Sequence, residues 1–263
     1  MKIGIIGYGA IAGYVHAHAL SGRHPLRAVL VRPARRKELA AQLAGTDVVS
    51  AVDELPADLD VMIDCAGHGA LRAYGAAILR RGTPLITVSL GALADAGLYQ
   101  SLEQAAAEGG TRLHLASGAI GALDCLRAAR VGQLHTVTYV GRKPPRGWQG
   151  SPAETRLDLD NLGTAAATHF TGSARIAATE YPKNANVAAA VALAGIGFDD
   201  TQVELIADPT ISENIHEVRA TGDFGSFHFE IRGNALPGNP RSSALAAMSI
   251  VSALEQTSQS IGF

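Results

Sequence analysis

The chain has 263 residues, 47% hydrophobic and 17% charged, with a net charge of −2, and that length exceeds an ordinary single domain of about 100–200 residues, which predicts two. Such a balance leaves ample apolar material for cores and gives no electrostatic case for nucleic acid or an anionic membrane as partner. Lys2 leads into a Gly-punctuated strand rather than a continuous apolar run, so no secretory signal is expected, and no stretch is apolar for the length of a membrane span. Cys65 and Cys125 fit a reduced, cytoplasmic setting as small buried apolar residues, and they lack the further Cys and His spacing of a zinc site, so no metal is expected.

In chain order, Ile3, Ile5 and Ile6 read as a buried parallel strand that runs into Gly7-x-Gly9-x-x-Ala12 and then into a helix over Ala10 to Leu20. Gly7 permits the tight turn, Gly9 lets a pyrophosphate approach the backbone, and Ala12 lets the helix pack close to the strand. Phosphates then meet the free N–H groups at Ala10 and Ile11, where the helix dipole is positive. Further strands follow at 26–31, 61–65, 84–88 and 112–115, with helices around 34–43, 69–81 and 92–108. That alternation predicts a doubly wound, Rossmann-type parallel sheet. Ligands of such sheets collect at the carboxyl ends of strands, which makes Cys65 and Ala66 candidate cofactor contacts and singles out His68 just beyond. After the second strand an NAD site carries an acidic residue, whereas this chain has Arg32, Arg35 and Arg36. Arginines there can pair with a 2′-phosphate, so the cofactor is NAD or NADP.

The small-residue run Ala116 to Gly121 marks a domain boundary. Beyond it come a strand over 136–140, a polar Gly/Pro segment over 141–152, Ala-rich helices, and strands at 202–207, 214–220 and 224–232. This predicts a second α+β domain with a mixed or antiparallel sheet. A last helix, 243–257, carries Leu245, Met248, Val251 and Leu254 on one face and is expected to pack back on the first domain. In Tyr181 to Ala189, Asn184 is placed to cap a helix, while Asn186 lies in its first turn, where its amide could reach a cofactor. Lys183, at the same helix start, is a candidate carboxylate anchor, with Asn184 and Arg241 as further substrate contacts. Period-2 alternation sets His216 on the strand face of Val218 and Ala220, where an imidazole is either a core residue or a catalyst.

The Gly7 to Ala12 turn, Asp64-Cys65-Ala66-Gly67-His68, Ala116 to Ile120, Phe170 to Arg175, Tyr181-Pro182-Lys183-Asn184-Ala185-Asn186-Val187-Ala188-Ala189, Ala207-Asp208-Pro209, Asn214-Ile215-His216 and Asn239 to Ser243, in that order, resemble the L-aspartate dehydrogenase family over nearly the whole chain. The resemblance implies oxidation of L-aspartate with NAD or NADP to iminoaspartate, which hydrolyses to oxaloacetate and ammonia or feeds NAD biosynthesis. It implies that His216 is catalytic, orienting the amine or activating water, and that Ala119, Ile120, Gly121 and Asn186 contact the cofactor. A homodimer is implied too. Residues 1–117 would bind the dinucleotide, 118–240 would bind substrate and dimerise, and 241–263 would return to the first domain. Thr168-His169 beside Phe170 has no role in this reading. The alternatives are a reductase of the dihydrodipicolinate reductase or homoserine dehydrogenase type and a non-catalytic NAD(P) sensor.

Overall fold

In the computed structural model, which describes residues 1–20, 24–182, 184–237 and 239–261, the first strand β1 (Ile3–Ile6) is buried at every position. Its isoleucines are at most 1% exposed, each contributing about 1.5–3 kcal/mol of burial. Five more strands join it: β2 (Leu26–Leu30), β3 (Asp47–Val49), β4 (Val61–Asp64), β5 (Leu85–Thr87) and β6 (Leu113–Leu115). All pair in parallel in the order β3-β2-β1-β4-β5-β6, the strand order of a dinucleotide-binding sheet. The connections are α1 (Ala10–Val15), α2 (Pro33–Gln42), α3 (His68–Arg80) and α4 (Ala96–Glu108).

Two details depart from the sequence reading. The helix expected over Ala10 to Leu20 is α-helical only to Val15 and continues as a π-helical turn over His16–Leu20. The helix expected over 92–108 is split: a 3₁₀ turn spans Leu90–Ala94, and Asp95 then caps α4 by accepting from the N–H groups of Gly97 and Leu98.

The chain divides into two units, Met1–Ala116 with Ala246–Phe263, and Ser117–Leu245. The second holds α5 (Leu123–Ala129), β7 (Leu134–Lys143), β8 (Ala167–Ser173), α6 (Ala174–Glu180), α7 (Asn186–Ala194), β9 (Gln202–Ala207), β10 (Asn214–Gly222), β11 (Gly225–Gly233) and the short pair β12 (Ala235–Leu236) and β13 (Asn239–Ser243). Its sheet runs β11-β10-β7-β9-β8, with β7 and β9 parallel and the other pairs antiparallel. β8 occupies part of a region read as helical.

The last helix, α8 (Ala244–Gln256), places Ile250 and Leu254 in the core cluster of Ile3, Ile5, Ala12, Ile63 and Ile86. Its buried stripe differs from the expected one, because Met248 is 45% exposed while Ala247 and Ile250 are fully covered. Cys125 is likewise exposed rather than buried. Among the described residues no helix is long and apolar enough to cross a membrane.

Candidate active site

In the first unit the chain leaves β1 at Gly7, whose φ of +76° favours glycine. A Cβ there would also lie 2.7 Å from that of Ala66, so the turn after β1 and the turn after β4 approach each other closely. Gly9 is different: its backbone is extended and a Cβ would meet nothing within 4 Å. No described residue therefore calls for glycine at position 9, and the open space there fits a pyrophosphate lying against the N–H groups of Ala10 and Ile11. Ala12 is fully buried in the core cluster, as close packing of helix on strand demands.

The turn after β4 rests on Asp64, to which the sequence reading gave no role of its own. Asp64 is fully buried and accepts hydrogen bonds from Thr87 Oγ1 (2.8 Å), Ser89 Oγ (2.6 Å) and the Ala66 N–H (3.0 Å). Burial pushes its carboxyl above the usual range, against these donors. Its oxygens tie the ends of β4 and β5 to the Cys65–Gly67 turn, leaving the partly buried Cys65 and the exposed Ala66 at the strand's carboxyl end. Burial, with Asp64 adjacent, drives the Cys65 thiol up, so it stays neutral. His68 is the first residue of α3, behind Gly67 at φ +87°.

Of the three arginines after β2, Arg35 pairs with Glu38 (3.4 Å) and Arg36 with Glu54 (3.0 Å). Arg32, the residue before α2, is exposed, and its guanidinium has no partner among the described residues.

In the second unit His216 sits on β10, paired with Gly141 on β7. Alternation puts Tyr139, Gly141 and Lys143 on one face of β7, beside Val218 and His216 on one side and Val203, Leu205 and Ala207 on the other. The Tyr139 hydroxyl reaches along that face to His216 Nδ1 at 2.8 Å. It passes over Gly141, where a Cβ would lie 2.6 Å from the phenol oxygen. Tyr139 is 1% exposed, and its hydroxyl has no other partner among the described residues. The phenol therefore donates to Nδ1, and the His216 proton resides on Nε2. Burial, then the nearby Lys143 charge, pushes His216 down to about 3, so the ring is neutral at working pH. Burial holds Tyr139 protonated.

A second tyrosine–histidine pair joins the same sheet to the end of α6. His169 occupies a bulge in β8, where the register shifts between Thr168 and Phe170. Its Nδ1 is 3.0 Å from the Tyr181 hydroxyl, which also accepts from Arg156 at 3.2 Å. Trp148, fully buried, meets His169 edge-on at 4.4 Å and carries Lys143 Nζ 4.9 Å from its ring centre. None of Tyr139, Lys143, Trp148, His169 or Arg156 stood out as functional in the sequence, although Tyr139-x-Gly141-x-Lys143 has the spacing of one strand face.

The 119–121 loop packs in the same unit: a Cβ on Gly121 would lie 2.7 Å from Phe229, which pairs with Val218 next to His216 in β10. Ala119 and Ile120 are buried, and Ala122, which opens α5, holds φ at +58°. Asn186 is the first residue of α7. The residue before it is Ala185, with no side-chain cap, so Asn184 does not cap this helix as expected; its N–H instead donates to the Tyr181 carbonyl at 2.8 Å. Lys183 and the side chain of Arg241 lie outside the described residues.

Comparison with known proteins agrees with both units. Residues 124–257 match the family described as "Aspartate dehydrogenase, C-terminal", and residues 7–116 match "Homoserine dehydrogenase, NAD binding domain". The L-aspartate dehydrogenase of Ruegeria pomeroyi is 56% identical over 261 residues, 99% of this chain and 94% of that one. That of Polaromonas sp. is 49% identical over 262 residues, covering 97% and 96%. The crystal structure of aspartate dehydrogenase from Thermotoga maritima matches with a TM-score of 0.76 at 25% identity, over 100% of this chain and 99% of that one. With one family profile on each unit and relatives that align almost end to end, the chain belongs to the L-aspartate dehydrogenase family and is an NAD(P)-dependent enzyme.

Proposed function

We propose that the protein oxidises L-aspartate with NAD or NADP to iminoaspartate, which hydrolyses to oxaloacetate and ammonia or is passed to NAD biosynthesis, and that it works as a homodimer. The observation that carries the reading is the Tyr139-held His216 in the unit that matches the aspartate dehydrogenase C-terminal family. The nicotinamide, when bound, accepts a hydride from the substrate Cα. In the first unit Gly7, Gly9, Ala10, Ile11 and Ala12 would seat the pyrophosphate, with Cys65 and Ala66 in the neighbouring turn as further contacts; in the second unit Ala119, Ile120, Gly121 and Asn186 are the cofactor contacts that the family resemblance implies. Arg32, unlike the ion-paired Arg35, has a guanidinium available for a 2′-phosphate, which supports use of NADP alongside NAD.

His216 would act as a neutral donor. An imidazole whose charged form is disfavoured, with Nδ1 already accepting from Tyr139, offers N–H from Nε2 rather than a lone pair. In that state the Nε2–H can donate to an oxygen of the α-carboxylate beside the reacting carbon, or to the hydroxyl that water leaves on that carbon once it adds to the imine, as neutral imidazoles do in other enzymes. Of the two roles the resemblance implies, this geometry favours orientation by hydrogen bonding over proton abstraction.

The test is turnover of L-aspartate against L-glutamate and L-alanine with each cofactor, followed at the nicotinamide absorbance. His216→Ala should lower kcat by about two to three powers of ten and leave cofactor affinity within about twofold. Normal turnover in that variant removes His216 from the mechanism.

A further inference from the structure

The end of the second sheet around Lys143 is rich in donors and poor in acceptors. Lys143 closes β7 on the face of Tyr139 and Gly141, half-buried, with its ammonium against Trp148 and no hydrogen-bond or ion-pair partner among the described residues. Asp208, whose N–H donates to the Lys143 carbonyl, is committed to Arg142 (3.0 Å) and Thr210, and Glu180 to Arg156 (2.7 Å), while Glu204 and Glu217 pair across from Val140 and so belong to the other face of the sheet. His169 adds a donor. The Tyr181 oxygen accepts from Arg156, so its proton goes to His169 Nδ1, and the His169 proton sits on Nε2. That Nε2 is buried with no partner among the described residues, on a ring 6% exposed. His216 presents the same tautomer.

A cation and two N–H donors with no acceptor are costly in an apolar setting unless an anion completes them. The reading above supplies a dicarboxylic substrate, with one carboxylate beside the reacting carbon and a second two bonds away. We propose that Lys143 receives the side-chain carboxylate of the substrate and thereby selects a four-carbon dicarboxylic amino acid over a neutral one. This rests on the L-aspartate assignment. His169 acts behind it: as a neutral ring pinned by the Arg156–Tyr181 relay, it keeps a hydrogen-bond donor next to the ammonium and never competes for the proton. Lys143 thus joins Lys183 and Arg241, the anchors expected from the sequence, as a carboxylate contact.

The test uses succinate, which carries both carboxylates without the amine, and propionate, which carries one. Both are titrated as inhibitors of the cofactor-bound enzyme. Lys143→Met, which keeps the stem over Trp148, should weaken succinate and raise the aspartate KM by about 10- to 100-fold, the range for losing a charge-assisted hydrogen bond. Propionate inhibition and kcat should stay within about threefold. The unaltered protein gives a second reading that needs no variant. Burial lowers Lys143 to about 8, so succinate affinity should fall about tenfold per pH unit above that value as the ammonium loses its proton, with propionate flat. Of the other titratable groups in that cluster, His169 and His216 are already neutral and burial holds Tyr139 and Tyr181 protonated, and the remaining charged side chains there are the guanidinium groups of Arg142 and Arg156. An unchanged succinate affinity in Lys143→Met, or equal loss of succinate and propionate, overturns the proposal. Failure of the unaltered enzyme to turn over L-aspartate instead overturns the substrate assignment, and succinate discrimination still reports on Lys143.

Discussion

The contact between Tyr139 and His216 can be broken in two ways, and the coupling between them tests the tautomer assignment. Tyr139→Phe removes the hydroxyl 2.8 Å from Nδ1 and leaves the ring in place. It forfeits a hydrogen bond of about 0.5–1.5 kcal/mol, leaves Nδ1 unpaired, and frees His216 to move its proton between nitrogens. If about 1–2 kcal/mol of that is felt in the transition state, kcat falls about 5- to 30-fold. Gly141→Ala reaches the same bond sterically, since its Cβ would lie 2.6 Å from the phenol oxygen, 3.1 Å from the ring carbon bearing it and 3.2 Å from a Leu205 methyl. Tyr139 is 1% exposed and cannot swing into solvent, so overpacking should cost about 1–3 kcal/mol of stability and pull the hydroxyl off His216. In the double variant the atom in closest conflict is gone. Adding Gly141→Ala to Tyr139→Phe should therefore lower kcat by less than about threefold and leave a coupling energy of about 1 kcal/mol or more. Steady-state rates with saturating substrate and cofactor, plus thermal midpoints, complete the cycle. Strictly additive losses in kcat would refute the idea that Gly141 serves Tyr139 and that Tyr139 serves His216.

Three further outcomes follow from the same geometry. Gly9→Val should leave the thermal midpoint of the cofactor-free protein within about 2 °C, since its Cβ meets only open space, while weakening NAD and NADP at least about tenfold; Gly7→Ala, strained at φ +76° and 2.7 Å from Ala66, should instead destabilise the fold by about 1–2 kcal/mol. Arg32→Ala should raise KM for NADP about tenfold relative to NAD, and equal effects on the two cofactors would exclude a 2′-phosphate contact. Burial lowers His216 and His169 from 6.5 to about 3 and about 4, so the folded protein binds fewer protons than the unfolded chain below pH 6.5 and loses stability as pH falls. At pH 5, 1.5 pH units below the unfolded value, this amounts to about 2 kcal/mol per histidine; His169→Asn should retain a higher midpoint at pH 5 relative to pH 7.5 than the unaltered chain does, and a midpoint independent of pH over that range would refute the neutral burial of both rings.

Why the sequence revealed one half of the site more fully than the other follows from where the information resides. Gly7, Gly9 and Ala12 act through their own backbone and through contacts a few residues away, so spacing alone displays them; the parallel strands are continuous apolar runs because both faces are buried. Lys143 could not be found that way. Gly141 and the prolines at 144 and 145 read as a loop, which ended the apparent strand at Val140 and hid the fact that residue 143 shares a face with residue 139. The glycine is in fact mid-strand, required by the tyrosine that crosses it. His169 was hidden by its bulge, since an extra residue in β8 breaks the period-2 pattern that would have marked the strand. Asn184 misled for a related reason, because its type suits a cap but the chain begins α7 two residues later. In each case the deciding partner is far along the chain: position 139 for position 216, position 181 for position 169. A donor-rich cluster assembled from β7, β8 and β10 has no signature within any one segment, whereas a dinucleotide turn is written in a single one.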